Sequence, residues 1–157
     1  MEQQEYAQRG YLREDFRLFH LKGAMEEQLD WHYHTFHKLI FFLGGQSGYG
    51  VEGRSYPLEP GDVILVPQGC VHRPEAAPGA PYERVILYLS PDYLARAGTA
   101  DCPLDSCFAL ATARFRFVLR PQEGRQALRR TLFALESASA QPGFGQELLA
   151  KALLTQL

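Results

Sequence analysis

Three histidines, His32, His34 and His72, are the residues of this sequence whose types and spacing best suit binding chemistry. His32 and His34 are two residues apart, and on an extended strand alternate side chains share a face, so both rings point the same way. His72 ends a second block, Gly61-Asp62-Val63-Ile64-Leu65-Val66-Pro67-Gln68-Gly69-Cys70-Val71-His72. Strands that bring the two blocks together place three imidazoles inside a small barrel. Imidazole nitrogen is a good ligand for zinc, nickel, copper or iron, and three of them leave open positions on the ion. Lys38 falls on the same strand face as His32 and His34. Trp31 and Tyr33 are expected at the mouth, with Arg73 and Arg84 near the rim. Cys70, beside His72, reads as an ordinary buried thiol, because no orienting acid accompanies it.

The elements that must hold these residues are short strands. Alternation over 11–21 suggests a first strand, with His20 in its wall. Leu39-Ile40-Phe41-Phe42-Leu43 is an apolar run that stops at Gly44-Gly45. Residues 48–58 read as a hairpin about Glu52-Gly53-Arg54, and Val63 to Val66 as a buried strand. Tyr82 to Leu89 alternates again. Ser90-Pro91-Asp92 starts a short helix that Gly98 ends. Residues 99–107 read as loop and 114–120 as a late strand. Strands of this length and spacing indicate an antiparallel barrel or jelly roll. A helix then follows Pro121, with Leu128, Thr131, Leu132, Leu135 and Ala138 along one stripe, and a second helix covers 146–157.

Composition excludes several classes. The 157 residues suit one domain with a real core, and 46% apolar with 12% aromatic content excludes a disordered chain. A net charge of −2 gives no footprint for nucleic acid. No apolar run approaches bilayer length, and the acidic, polar start lacks a secretory signal, so neither a membrane partner nor secretion is expected. Three cysteines, Cys70, Cys102 and Cys107, suit reduced thiols in the cytoplasm.

The spacing His32, His34, Lys38, Gly45 resembles the first motif of the cupins, and Gly61, Pro67, Gly69, His72 resembles the second. Fifteen residues separate Gly45 from Gly61, close to the spacing of the simplest cupins. The sequence departs from that pattern at Glu26, where an early glycine is common. It departs again at Lys38, where a glutamate ligand is usual, and at Ala76, where an asparagine is usual. The run His34 to Gly45, followed by Tyr56 to Pro67, further resembles the N-terminal ligand-binding and dimerisation domain of AraC-type transcription regulators, over about residues 12–157.

The resemblance implies a mainly β chain: a small antiparallel cupin barrel followed by C-terminal helices. Residues 1–10 would form a mobile arm, 11–120 the effector-binding barrel and 121–157 a helical dimerisation segment. Packing within the chain is the expectation from the leucine stripe alone. The resemblance instead makes Leu128, Leu132 and Leu135 a homodimer interface. It implies a non-enzymatic sensor of a small-molecule effector, a sugar or small carboxylate, bound by Trp31, His32, His34, Lys38 and His72. DNA would be contacted only through a C-terminal domain absent from this sequence, since the second helix runs to Leu157 without a stop signal. The contrasting reading is a stand-alone metal-dependent cupin enzyme, a dioxygenase or sugar isomerase, which needs a filled metal site and a positioned acid or base.

The metal itself stays open at this level. A divalent ion and one ammonium about 4 Å apart cost roughly 8 kcal/mol at an effective dielectric of 20. Without metal, the same residues read as a donor-rich cavity for a carboxylate, sugar or phosphate. Lys38→Glu is therefore expected to raise divalent-metal affinity. Metal uptake of the two proteins, compared by plasma mass spectrometry, checks this; equal uptake removes the charge argument.

Overall fold

A computed structural model describes residues 5–25 and 28–157. Glu26 and residues 1–4 of the expected arm lie outside that range. Two compact units, Met1–Arg120 and Pro121–Leu157, divide the chain.

Among the described residues, the first unit is built from ten strands and two helices. The strands are β1 (Ala7–Gln8), β2 (Phe16–Leu21), β3 (His32–Tyr33), β4 (His37–Gly45), β5 (Ser47–Val51), β6 (Arg54–Pro57), β7 (Val63–Val66), β8 (His72–Ala76), β9 (Tyr82–Leu89) and β10 (Val118–Leu119). The helices are α1 (Pro91–Ala97) and α2 (Ser106–Arg114). One five-stranded sheet has the order β1-β3-β8-β5-β6 and the other β10-β7-β4-β9-β2. Every pairing is antiparallel except β1 with β3.

Register decides which side chains face the space between the sheets. Lys38, Ile40 and Phe42 of β4 lie opposite Tyr88, Ile86 and Arg84 of β9. The Lys38 ammonium donates to the hydroxyl of Tyr49, which belongs to the other sheet, so this is the inner face. Alternation then sends His37, Leu39 and Phe41, with Leu89, Leu87 and Val85, to the opposite face. That face is not bare: the His37 ring stacks on Phe108 of α2, 4.2 Å between centroids and 9° between planes. His37 thus leaves the inner face and is buried because a helix covers it.

Several local expectations hold for physical reasons visible in the structure. The β5–β6 hairpin turns through Glu52 and Gly53, both at positive φ, as a two-residue hairpin requires. Ser90 Oγ accepts the Tyr93 amide and Pro91 begins α1, which ends at Gly98. Other expectations change. The first strand begins at Phe16, not residue 11. The end of the expected arm is paired, with Ala7 and Gln8 lying parallel to His32 and Tyr33.

Residues 106–114 form a helix, whereas the sequence puts 106 and 107 at the end of a loop, 114 at the start of a strand, and assigns nothing between them. Phe115 caps it in the left-handed region at φ 50°, and only Val118–Leu119 remains of the late strand. The Arg-Phe alternation from 114 to 117 imitates a strand, while the helix-favouring run Ala109-Leu110-Ala111-Thr112-Ala113 before it settles the conformation.

The second unit is a helix pair, α3 (Arg125–Ala140) and α4 (Gln146–Gln156), packed together. Leu132, Leu135 and Ala138 of α3 and Ala150 and Leu154 of α4 are buried. Leu132 and Leu135 are 2% and 0% exposed in the single chain, and Leu128 is half-buried. The stripe proposed from sequence as a dimer face is thus largely covered by its own chain.

Gly45 explains why the first motif ends in glycine. Its φ is 107°, and an added Cβ would lie 2.0 Å from the Pro81 carbonyl oxygen. Gly53 also has positive φ, but has no atom within 4 Å of such a Cβ. Gly53→Ala should cost about 1–2 kcal/mol from left-handed strain alone, and Gly45→Ala more than about 3 kcal/mol, because a backbone clash is added. Urea unfolding of the two variants measures the difference.

Candidate metal and ligand site

The three histidines arrive from different parts of the first sheet. β3 and β8 place His32 directly opposite His72. His34 follows β3 by one residue, and its backbone carbonyl accepts the Gly69 amide at 2.8 Å, tying it to the Pro67–Gly69 turn. Ring centroids are 4.5 Å apart for His32–His72, 4.8 Å for His34–His72 and 5.1 Å for His32–His34. One nitrogen from each lies within 4.8 Å of the others, and all three residues are buried.

Hydrogen bonds determine which nitrogen that is. Each Nδ1 faces a backbone carbonyl: His32 that of Asp30 at 2.7 Å, His72 that of Cys70 at 2.9 Å, and His34 that of Arg9. A carbonyl only accepts, so the network assigns the proton to Nδ1 in each ring and leaves Nε2 with a lone pair. Nε2 of His34 and of His72 is buried with no hydrogen-bond partner. Unpartnered buried polar atoms are rare and ask for an explanation. Donation from the second ring nitrogen to a carbonyl is also how metal-ligating histidines are held. The donor set therefore fits a divalent ion held by His32, His34 and His72 through Nε2.

The rings are neutral at ordinary pH. Burial, and after it the Lys38 charge, lowers His72 to about 2. Burial lowers His34 to about 4, and His32 is lowered for the same leading reason. Neutral rings with Nδ1–H present three acceptors to the cavity, not the donors expected from sequence.

Lys38 is 7% exposed. Its Nζ lies 3.3 Å from the Tyr49 hydroxyl and 6.0 Å from the ring centroids of Tyr49 and Tyr88. Burial first, then Arg84, lowers its pKa to about 8, so it is mostly charged at neutral pH. Arg84, placed near the rim by the sequence reading, faces inward. It donates to the carbonyls of Gly23 and Tyr82 and lies 4.1 Å over the Tyr82 ring. Among the described residues no carboxylate pairs with Lys38 or Arg84. The signal for Arg84 was in the β9 alternation, which groups it with Ile86 and Tyr88. What was missing was which face of β9 turns inward.

Trp31 is placed elsewhere than expected. Its Cη2 is 2.6 Å from where a Cβ on Gly50 would stand, and its ring lies 4.7 Å beneath the Arg73 guanidinium. Gly50 pairs with Arg73, whose side chain alternates with that of inward-facing His72. Trp31 therefore covers the outer face of the β5–β8 sheet, and Tyr33, alternating with His32, is turned away from the histidines. Aromatic partners of the cavity come instead from Tyr49, stacked with His72 at 6.2 Å, and from Tyr88, 6.0 Å from His34. Burial raises the Cys70 thiol to about 11, so it is no nucleophile.

The depressed histidines set an acid limit on stability. Unfolded, they take up protons near pH 6.5; folded, His34 does so near 4 and His72 near 2. Between those values the unfolded state binds more protons, so stability is full above about pH 6.5 and falls as the pH drops below it. Urea midpoints of the metal-free protein from pH 7 to 4 should decline, and His72→Gln should flatten the decline.

A family model described as the AraC-like ligand binding domain matches residues 18–157. No curated protein matches the chain. Among solved structures, a cupin-like protein from Thermotoga maritima aligns at 20% identity over 50% of this chain and 60% of its own, with a TM-score of 0.44. The polyketide cyclase RemF from Streptomyces resistomycificus aligns at 24% identity over 46% and 53%, with a TM-score of 0.42. The chain thus spans about three fifths or less of the length of either protein. With 140 of its residues inside the family model and its histidines in the barrel that the motifs imply, this chain belongs to the AraC-like ligand-binding domains.

Proposed function

We propose that this chain is the effector-sensing domain of a cytoplasmic transcription regulator of the AraC type. In this reading it binds a sugar or small carboxylate in the barrel, forms a homodimer, and acts on DNA through a separate domain. The observation that carries the ligand-binding part is the convergence of three neutral Nε2 lone pairs, two of them buried and unpartnered, on one space between the sheets. His32, His34 and His72 would hold a divalent ion there, and such an ion supplies a Lewis-acidic attachment point for a ligand oxygen. Lys38, Tyr49, Tyr88 and Arg84 form the rest of the lining that a ligand would meet.

Binding is favoured over catalysis by what surrounds the histidines. Among the described residues, no carboxylate accompanies the cavity's cations to carry a proton, and the one neighbouring thiol is held protonated. Among the described residues, no helix is long and apolar enough to cross a membrane.

Elemental analysis of the purified, untagged chain is the first test. The expected result is stoichiometric zinc, nickel, iron or copper that is lost in His72→Ala. A metal-free wild-type protein that also takes up none of these ions on incubation would overturn the three-histidine site. Sedimentation equilibrium tests the dimer separately, and a monomer at every concentration removes it.

A further inference from the structure

The inner face of the barrel has an unusual distribution of charge, and it bears on the class of ligand. On one side stand three imidazole nitrogens that only accept. Across the sheets stands Lys38, buried and mostly charged, with a tyrosine hydroxyl as its hydrogen-bond partner. Arg84 adds a second cation on the same face of the β4–β9 pair. A buried ammonium without an anion nearby is costly, and proteins retain one chiefly where a partner arrives.

The resident side chains do not supply that partner. Glu75 lies on the outer side with Trp31 and Gly50, within reach of Ser55 and Arg73. Glu83 pairs with His20 at 2.9 Å, and His20 is opposite Val85 on the outer face. Asp62, 0% exposed, is held by Arg120 through both carboxylate oxygens. Each of these acids is already engaged away from Lys38.

Position 38 makes the charge argument sharper. A carboxylate here would contribute −1 beside an ion on the three histidines, and the lysine contributes +1. An ion bound to three neutral rings keeps its full double charge, with an ammonium facing the same space. Neutral hydroxyls offset neither charge. An anion offsets both.

We propose that the barrel selects a small carboxylate over neutral polyols and amides, with Lys38 as the residue that reads its charge across from the ion held by His32, His34 and His72. This rests on the ligand-binding, three-histidine reading above. Arg84 adds to the positive field while its own hydrogen bonds to Gly23 and Tyr82 keep it in place. Without the ion, three lone pairs face the cavity and repel an anion, so carboxylate binding depends on metal. The domain would then report the anion only when both are present.

The test uses Co²⁺ as the metal and the isosteric pair acetate and acetamide as probes, followed through the visible absorption of the bound ion. Wild-type protein should take up one Co²⁺, and acetate should perturb its spectrum at concentrations about tenfold or more below those of acetamide, as expected of a charge-assisted hydrogen bond. Lys38→Met, which removes a buried charge and keeps the shape, should take up Co²⁺ at least as well and lose about tenfold in acetate affinity. Lys38→Arg, keeping the charge, should retain part of the preference. Equal acetate affinity in wild type and Lys38→Met, or an acetamide preference in wild type, overturns the proposal and leaves the metal site standing. Weaker Co²⁺ uptake by Lys38→Met would make the lysine a ligand of the ion and also overturn it. No Co²⁺ uptake by wild type defeats the three-histidine reading itself, and the proposal with it.

Discussion

Three hydrogen bonds from imidazole Nδ1 to backbone carbonyls are the interaction on which the site depends. They assign the tautomer, fix the ring planes and turn each Nε2 lone pair toward the same space. Two of them are local, reaching back two residues to Asp30 and to Cys70. The third joins His34 to Arg9 across 25 positions of sequence and draws in the strand at Ala7–Gln8. The N-terminal segment is therefore part of the site's construction, because it supplies the acceptor that orients one ring.

The sheets converge their polar groups on that space. β8 sets His72 opposite His32, β5 brings Tyr49 alongside, and β4 delivers Lys38 from the facing sheet. Ile40 and Phe42, on the same face as Lys38, are almost fully buried. Low polarity around the rings keeps them neutral, which makes them competent as ligands. The same low polarity makes the Lys38 charge expensive. The site is thus a compromise in which conditions that favour metal on three histidines also create a demand for an anion beside it.

Family membership and geometry support different statements. The family model covers the helix pair as well as the barrel, and it identifies a ligand-binding domain. Fold alone does not separate sensing from catalysis, because one barrel architecture hosts many functions. The proposal of binding rests on side chains: acceptors and cations inside, the acids named above paired outside, and a thiol held protonated by burial. Leu132 and Leu135 of the helix pair are buried in the single chain.

The sequence by itself determined the strand alternation, the turns and the histidine constellation. These depend on local chemistry: period-two patterning, glycine at positive φ, and residue types with donor nitrogens. Gly53 and the Ser90 cap follow from such rules, whereas the pairing of His32 with His72 and the contact of Gly45 with Pro81 are made by distant strands. Tertiary structure decided which face of each strand is covered. Alternation groups Arg84 with Tyr88, and Trp31 with Tyr33, but it does not say which group turns inward. It also decided where the 106–114 helix docks, with Phe108 stacked on His37, which a local helix-favouring run does not specify. Last, it decided the hydrogen-bonding character of the cavity. A histidine in sequence is donor or acceptor alike, and only the carbonyls that fold places behind the rings make these three into acceptors.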